Sequence, residues 1–245
     1  HCAVSDTTSE NGGGIVHSGD SSVFTMSGGS IYNNEAYKGA GVYFSTAGKA
    51  SKITGGSIYN NTGSYGAGIT TYRTNGLTIS GGNIYGNTVS INGGGILAGA
   101  KLVLSGSNIY ENSATKAGGG IFLSGASSSL TMSNGVIRNN SSGTHGAGLY
   151  FSADGAASTI SGGKIYSNSA TGSGGALLSY RTNGLNISGG SIYSNTAQLY
   201  GGAIYASQGT TRITAGSIYS NTAVKSGNGV FLHSDAVSFE MSKNA

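Results

Sequence analysis

Residues Asn195–Ile204 read NTAQLYGGAI and are preceded by SIYS (191–194). An apolar residue, an Asn three positions later, a glycine pair and a second apolar residue thus stand in one short run. Most of the chain is a variant of it. The Ile-Tyr-x-Asn half recurs with its Ile at 31, 58, 84, 109, 137, 165, 192 and 218, in steps of 27, 26, 25, 28, 28, 27 and 26 residues. The glycine half recurs with its apolar residue at Ile15, Val42, Ile69, Ile96, Ile121, Leu149, Leu177, Ile204 and Val230. A period near 27 made of short apolar segments is the signature of a solenoid, in which each repeat buries its apolar side only against its neighbours.

Each repeat carries three apolar segments too short for a helix, and each alternates an inward apolar residue with an outward polar or aromatic one, which predicts strands. The first follows the glycines, as in Ile121-Phe122-Leu123. The second is typified by Leu130-Thr131-Met132-Ser133, and the third is the Ile-Tyr segment. The second segment places its inward residue five positions before the third in all eight pairs, from Met26 and Ile31 to Ile213 and Ile218. That constant spacing predicts a fixed corner between two faces. The expected fold is all-β: a single-stranded, right-handed parallel β-helix of about nine three-strand coils, right-handed by the usual crossover rule.

A longer period lies over the short one. From the first-strand apolar residue to the second-strand one the offsets run 11, 11, 10, 8, then 11, 11, 10, 9, then 11. Four coils therefore form a duplicated unit, and Tyr72-Arg73-Thr74-Asn75-Gly76-Leu77 matches Tyr180-Arg181-Thr182-Asn183-Gly184-Leu185. A third unit opens at Gly227 and is incomplete at Ala245. Residues 1–245 read as one repeat domain, a fragment of a longer repeat protein, with end-to-end self-association as the other way to cover an open coil.

The repeat residues suit such stacking. Glycine supplies positive φ and close approach at the tight turn. The Asn at 34, 61, 87, 112, 140, 168, 195 and 221, pointed inward, can donate its amide to one neighbour and accept from the other. The chain contains no Pro, which fits a backbone whose N–H groups serve ladders.

The same residues carry a resemblance. Ile192-Tyr193-Ser194-Asn195 and Gly201-Gly202-Ala203-Ile204 resemble the FxxN and GGA(I/L/V) motifs of the polymorphic outer-membrane protein family, over roughly residues 12–235. Here Ile replaces Phe, and Gly-Gly-Ala alternates with Gly-Ala-Gly and Gly-Gly-Gly. The resemblance implies a β-helix displayed at a cell surface and a role in adhesion.

Composition narrows the function classes. Charged residues are 8% of the chain, against roughly 25% in ordinary soluble proteins. The net charge of +4 is spread singly without a basic cluster, so no nucleic-acid partner is expected. No apolar run is long enough for a transmembrane helix. One cysteine, Cys2, allows no intramolecular disulfide. The uncharged Ser/Thr/Asn-rich surface points to an extracellular or cell-surface location.

Many β-helices cleave polysaccharides, which requires paired or clustered carboxylates. The acids are Asp6, Glu10, Asp20, Glu35, Glu111, Asp154, Asp235 and Glu240, and no two hold equivalent strand positions in adjacent coils. Asp20, Asp154 and Asp235 share a loop position on well-separated coils. His17, His145 and His233 lack repeat partners. No enzyme activity, cofactor or metal is expected. Arg73 and Arg181, about 19 Å apart across four coils, are expected to support their loops. The hydroxyl pairs Thr25/Ser27, Thr78/Ser80, Thr131/Ser133 and Thr159/Ser161 form a row too irregular for an ice-binding face. The sequons at Asn60, Asn139, Asn140 and Asn186 matter only in a eukaryotic secretory route.

The candidate functional residues are the outward neighbours of the inward Ile: Tyr32, Tyr59, Tyr85, Tyr110, Tyr166, Tyr193 and Tyr219, a row broken by Arg138. Stacked tyrosines stabilise a ladder by themselves. A long aromatic strip also suits sugars and protein surfaces. The expected role is an adhesin-like module binding glycans or host or neighbouring surface proteins, with a filament or coat subunit and a carbohydrate-active enzyme as the rival classes.

Overall fold

A computed structural model describes residues 2–234 and 238–242. Among them the chain forms strands, turns and connecting segments and no helix, and every strand pairing is parallel. Three sheets result, one of 14 strands and two of nine. Equivalent residues stack without drift. Ile31 pairs in register with Ile58, Ile58 with Ile84, and the line continues through Ile109, Ile137, Ile165 and Ile192 to Ile218. Differences in coil length are absorbed by the connections between faces.

The three faces are composed differently from the three segments read in the sequence. The Thr-x-Met and Ile-Tyr segments share the first face; in Lys101–Tyr110, Ser129–Arg138, Leu185–Tyr193 and Thr210–Tyr219 they fuse into one strand. The five-residue spacing is therefore a bend within a face, marked by the register shift between Leu104 and Asn108, rather than a corner between faces. The second face is the stretch after the Asn, from Thr8–Asn11 and Glu35–Lys38 through Thr222–Ala223, which the sequence reading left between strands. The reason is its weak hydrophobic signal. Its inward residues are small, with Ala36, Ala114, Ala170, Ala197 and Ala223 buried where the other faces bury Ile and Leu. The third face follows the glycines, from Ile15–His17 to Val230–Leu232, as expected.

The solenoid also begins earlier than the motif. Val4 pairs with Ile31 and Ser5 with Tyr32, and Thr7 stands where later coils have Asn, its Oγ1 donating to Asn34 Oδ1 at 2.7 Å. Val4-Ser5-Asp6-Thr7 is thus a copy of Ile-Tyr-x-Asn with only the backbone pattern retained.

The Asn residues form the ladder their spacing predicts. Each Nδ2 donates to Oδ1 of the next coil's Asn at 2.9–3.0 Å, from Asn34 through Asn195 to Asn221. The same Oδ1 accepts the backbone N–H of the preceding Asn, as in Asn112 to Asn140 at 3.1 Å. Each Nδ2 also donates to the carbonyl of the inward residue one coil back, as from Asn140 to Ile109 at 3.1 Å. Each amide of this ladder both donates and accepts. Two rows of left-handed backbone frame this ladder. One is the first glycine of the motif, with φ between 51° and 74° from Gly12 to Gly227. The other is the residue before the Asn, where Ser194 has φ 53° and Glu111 φ 56°.

Arg73 and Arg181 turn inward and are the two largest fully buried side chains. Arg73 Nη2 reaches back two coils to His17, donating to its carbonyl at 2.9 Å beside its Nδ1 at 2.5 Å. It passes through space that a Cβ on Gly48 would occupy. Arg181 repeats this, with Nη2 donating to Ser128 Oγ at 3.1 Å and its guanidinium 5.5 Å from the Phe151 centroid. Burial pushes the Arg181 pKa down to about 10, opposed by the Asp154 carboxylate. The two arginines brace the loops between the third and first faces.

Candidate functional site

The seven tyrosines stand in one line on the outer side of the first face, because each follows an inward Ile in a strand whose side chains alternate. Tyr32, Tyr59, Tyr85 and Tyr110 are stacked at 4.9 Å between ring centroids, with interplanar angles of 8°, 3° and 5°. Beyond Arg138 the stack resumes, with Tyr166, Tyr193 and Tyr219 at 4.8 and 5.0 Å. Arg138 bridges part of the gap. Its guanidinium lies 4.3 Å from the Tyr110 centroid, and its Nη1 is 3.8 Å from Glu111 Oε1.

Parallel stacking determines what the row can present. Each ring face is covered by the next ring, leaving the edges and phenol hydroxyls toward solvent. Tyr219, ending the row, is 50% exposed, whereas the others are half-buried. Partial burial holds the Tyr85, Tyr110 and Tyr193 hydroxyls above the ordinary phenol pKa. The row presents a line of phenol O–H groups, each able to donate and accept, on rings that repeat at the spacing of a β-ladder.

Among the described acids, Glu10 and Glu35 stand exposed on adjacent strands of the second face, Glu35 opposite Thr8 and Glu10 two residues farther along. Glu111 faces Arg138, and Glu240 pairs with Arg212 at 2.8 Å. Asp20 and Asp154 occupy loops of different coils, and Asp235 lies outside the described residues. Among the described residues no three His, Cys, Asp or Glu side chains gather closely enough to hold a metal ion. His17 contacts Arg73, while His145 Nδ1 accepts the Ser173 N–H at 3.1 Å. A concavity of about 560 Å³ is lined by Ile218, Val230, Phe239 and Met241, residues that continue the core at the last described coil. Among the described residues no helix is long and apolar enough to cross a membrane.

Sequence reasoning passed over a second aromatic surface, on the outer side of the third face. Phe122 and Tyr150 stack there at 4.7 Å, Tyr150 lies 5.9 Å from Tyr180, and Leu178 and Tyr205 are buried. Desolvation pushes the Tyr150 and Tyr205 pKa values up to about 12. The available signal was the residue just after each inward apolar residue of the glycine motif. That row mixes Tyr, Phe, Leu, Thr and Val, so it lacks the uniformity that made the Ile-Tyr row visible.

A family model described as a right handed beta helix region matches residues 13–189. No curated protein and no solved structure matches the chain.

Proposed function

The chain belongs to the right-handed β-helix family, and from that premise we propose that it is a non-enzymatic, adhesin-like repeat module of the cell surface or extracellular space. The observation that carries this reading is the tyrosine row: phenol hydroxyls on rings stacked at 4.8–5.0 Å between centroids, in two runs on either side of Arg138, along one flank of the rod. Ring faces closed by stacking disfavour insertion of a sugar between them. The free edges suit an extended partner whose polar groups repeat at a similar spacing, as a strand of a host or neighbouring surface protein does. Low charge and a Ser/Thr/Asn-rich surface support the extracellular setting. Glu111 and Glu240 are each paired with an arginine, which favours structural roles for them over the free acid pair that glycoside hydrolysis uses.

The test separates hydroxyls from rings. Tyr166, Tyr193 and Tyr219 changed together to Phe keep the stack and remove the phenol edge. Loss of binding to cell surfaces or surface-protein arrays, with an unchanged melting temperature, is the expected result. Full binding by this variant overturns the assignment of the row. Release of reducing ends from pectins or neutral glycans by the unaltered chain overturns the non-enzymatic reading.

A further inference from the structure

The outer side of the second face carries hydroxyls in two rows. The residue after each ladder Asn, from Thr62 through Ser113 and Ser141 to Thr222, is always Thr or Ser and pairs in unbroken register from coil to coil. The second row stands two residues farther along, with Ser64, Ser90, Thr115 and Thr171 and a gap at Gly143. Between the rows lie the buried Val89, Ala114, Ser142, Ala170 and Ala197. The alternation of a strand therefore turns both rows to solvent.

These hydroxyls are held in place. The Asn immediately before each residue of the first row bonds to its counterpart in the next coil at 2.9–3.0 Å, and a sheet locked by such a side-chain ladder resists the usual twist. Backbone pairing continues into the second row: the N–H of Thr115 donates to the Val89 carbonyl at 3.1 Å, that of Gly143 to Ala114 at 2.9 Å and that of Thr171 to Ser142 at 3.0 Å. Hydroxyls also bond along the rows, Ser90 Oγ to Ser64 Oγ at 3.3 Å and Ser141 Oγ to Ser113 Oγ at 3.1 Å.

No charge interrupts the array. Glu10, Glu35 and Tyr37 occupy these rows on the first two coils, before Thr62, and from Thr62 to Val224 both rows are uncharged. Lys116 and Lys225 come one residue beyond the second row, where the face turns into the third. The Thr-x-Ser row of the first face lacks this regularity, being broken by Lys52, Val103, Arg212 and Glu240. Hydroxyls of the second face repeat at about 4.8 Å along the rod and roughly 6.6 Å between rows. Both repeats are of the order of the oxygen repeats in a plane of hexagonal ice.

We propose that this face binds the surface of an ice crystal, its two hydroxyl rows anchoring water molecules at the repeat of the lattice. Each hydroxyl donates and accepts as water does, and ordered waters bridging two surfaces cost little entropy. A single contact of this kind is weak. The array engages many at once, and its short side chains are already fixed by the ladder, so little ordering remains to be done on contact. Uncharged groups also impose no hydration shell of their own on the lattice. The inference goes beyond the proposed function and uses none of the tyrosine-row residues, which lie on the first face.

The test grows a single ice crystal in a solution of the full chain and measures the gap between its melting and freezing temperatures. A gap that widens with protein concentration, on a faceted crystal, is the expected result. Thr88→Tyr and Ser141→Tyr, each placing a ring in the middle of the array, should lower the gap about tenfold at equal concentration, since a bulky side chain at the centre of a flat contact holds the rest of it apart. Thr88→Lys serves where a ring disturbs the coil, with an unchanged melting temperature of the protein as its control. Ser141→Thr keeps the hydroxyl and should keep the activity. Thr131→Tyr, the same change at an exposed site on the first face, should leave the gap within twofold. A rounded crystal that freezes at its melting point, equal loss from Thr131→Tyr, or full activity in the Thr88 and Ser141 variants overturns the proposal. Activity retained by the Tyr166/Tyr193/Tyr219→Phe variant would leave this face standing even where the tyrosine-row reading fails.

Discussion

Asn112 shows how single residues hold the rod. Its Oδ1 accepts the backbone N–H and the Nδ2 of Asn87, and its Nδ2 donates to Asn140 Oδ1 and to the Ile84 carbonyl. Asn112→Ala strands buried groups on both neighbouring coils. At about 1–3 kcal/mol per unsatisfied group, it should cost about 3–5 kcal/mol in urea denaturation, and Asn221→Ala, at the far end of the ladder, clearly less. The residue before each Asn carries the opposite opportunity. Ser167, Ser194 and Ser220 all sit at φ 53°, a conformation costing a non-glycine residue roughly 1–2 kcal/mol. Gly86 already occupies the equivalent place with φ 63°. After the added unfolded-state entropy of glycine, changing all three to Gly should stabilise the chain by about 1–2 kcal/mol, read as an increased urea midpoint. The Asn ladder was legible from spacing and amide chemistry. The strained row beside it is legible only in part: Asn33, Asn60, Gly86 and Asn139 are residue types that favour positive φ, whereas Ser and Glu at the same place carry no such mark.

Faces obey their own rules. In the first face Tyr193 stacks against two rings and Tyr219 against one. At roughly 0.5–1.5 kcal/mol per aromatic pair, Tyr193→Ser should cost about twice as much as Tyr219→Ser in thermal denaturation. Tyr→Phe at either position should cost little. At the corner between the second and third faces, burial holds the His145 pKa below the ordinary imidazole value of 6.5. Its Nδ1 accepts the Ser173 N–H, a role open only to an unprotonated ring nitrogen. The unfolded chain therefore takes up this proton first. Its contribution to stability is complete above pH 6.5 and is lost as pH falls below that value. His17 is displaced in the same direction, by burial and then by Arg73. Melting temperature measured from pH 8 to pH 5 should decline at the acid end, and less steeply in His145→Gln.

At the scale of the whole molecule, each strand pairs with its equivalents in the neighbouring coils of its own face. Stability is then close to a sum of coil and interface terms. Deleting residues 141–168 removes one coil and joins Asn140 to Ser169, which occupy the register of Asn140 and Ser141. This shortened chain should keep a β-sheet circular dichroism spectrum and a cooperative melt within a few degrees of the parent. Deleting 141–154 removes half a coil and brings inward and outward rows out of register, so the cooperative transition should disappear.

The repeat Ile-Tyr-x-Asn and Gly-Gly-x-apolar determined the solenoid, its coil length, the Asn ladder and the tyrosine row, since each depends only on which residues recur at one period and alternate in a strand. Which segments share a face was decided by tertiary structure. The link from Met26 to Ile31 is a bend rather than a corner, and the face through Ala36, Gly63 and Val89 is built on side chains too small and too mixed to show a strand's pattern. Arg73 and Arg181 look like surface residues in the sequence, yet the loops fold over them and bury the guanidinium groups. The hydroxyl rows of the second face were hidden with it. A Thr or Ser follows seven of the eight ladder Asn residues, but that these side chains all turn outward in one register is a property of strands that only the winding of the chain brings together.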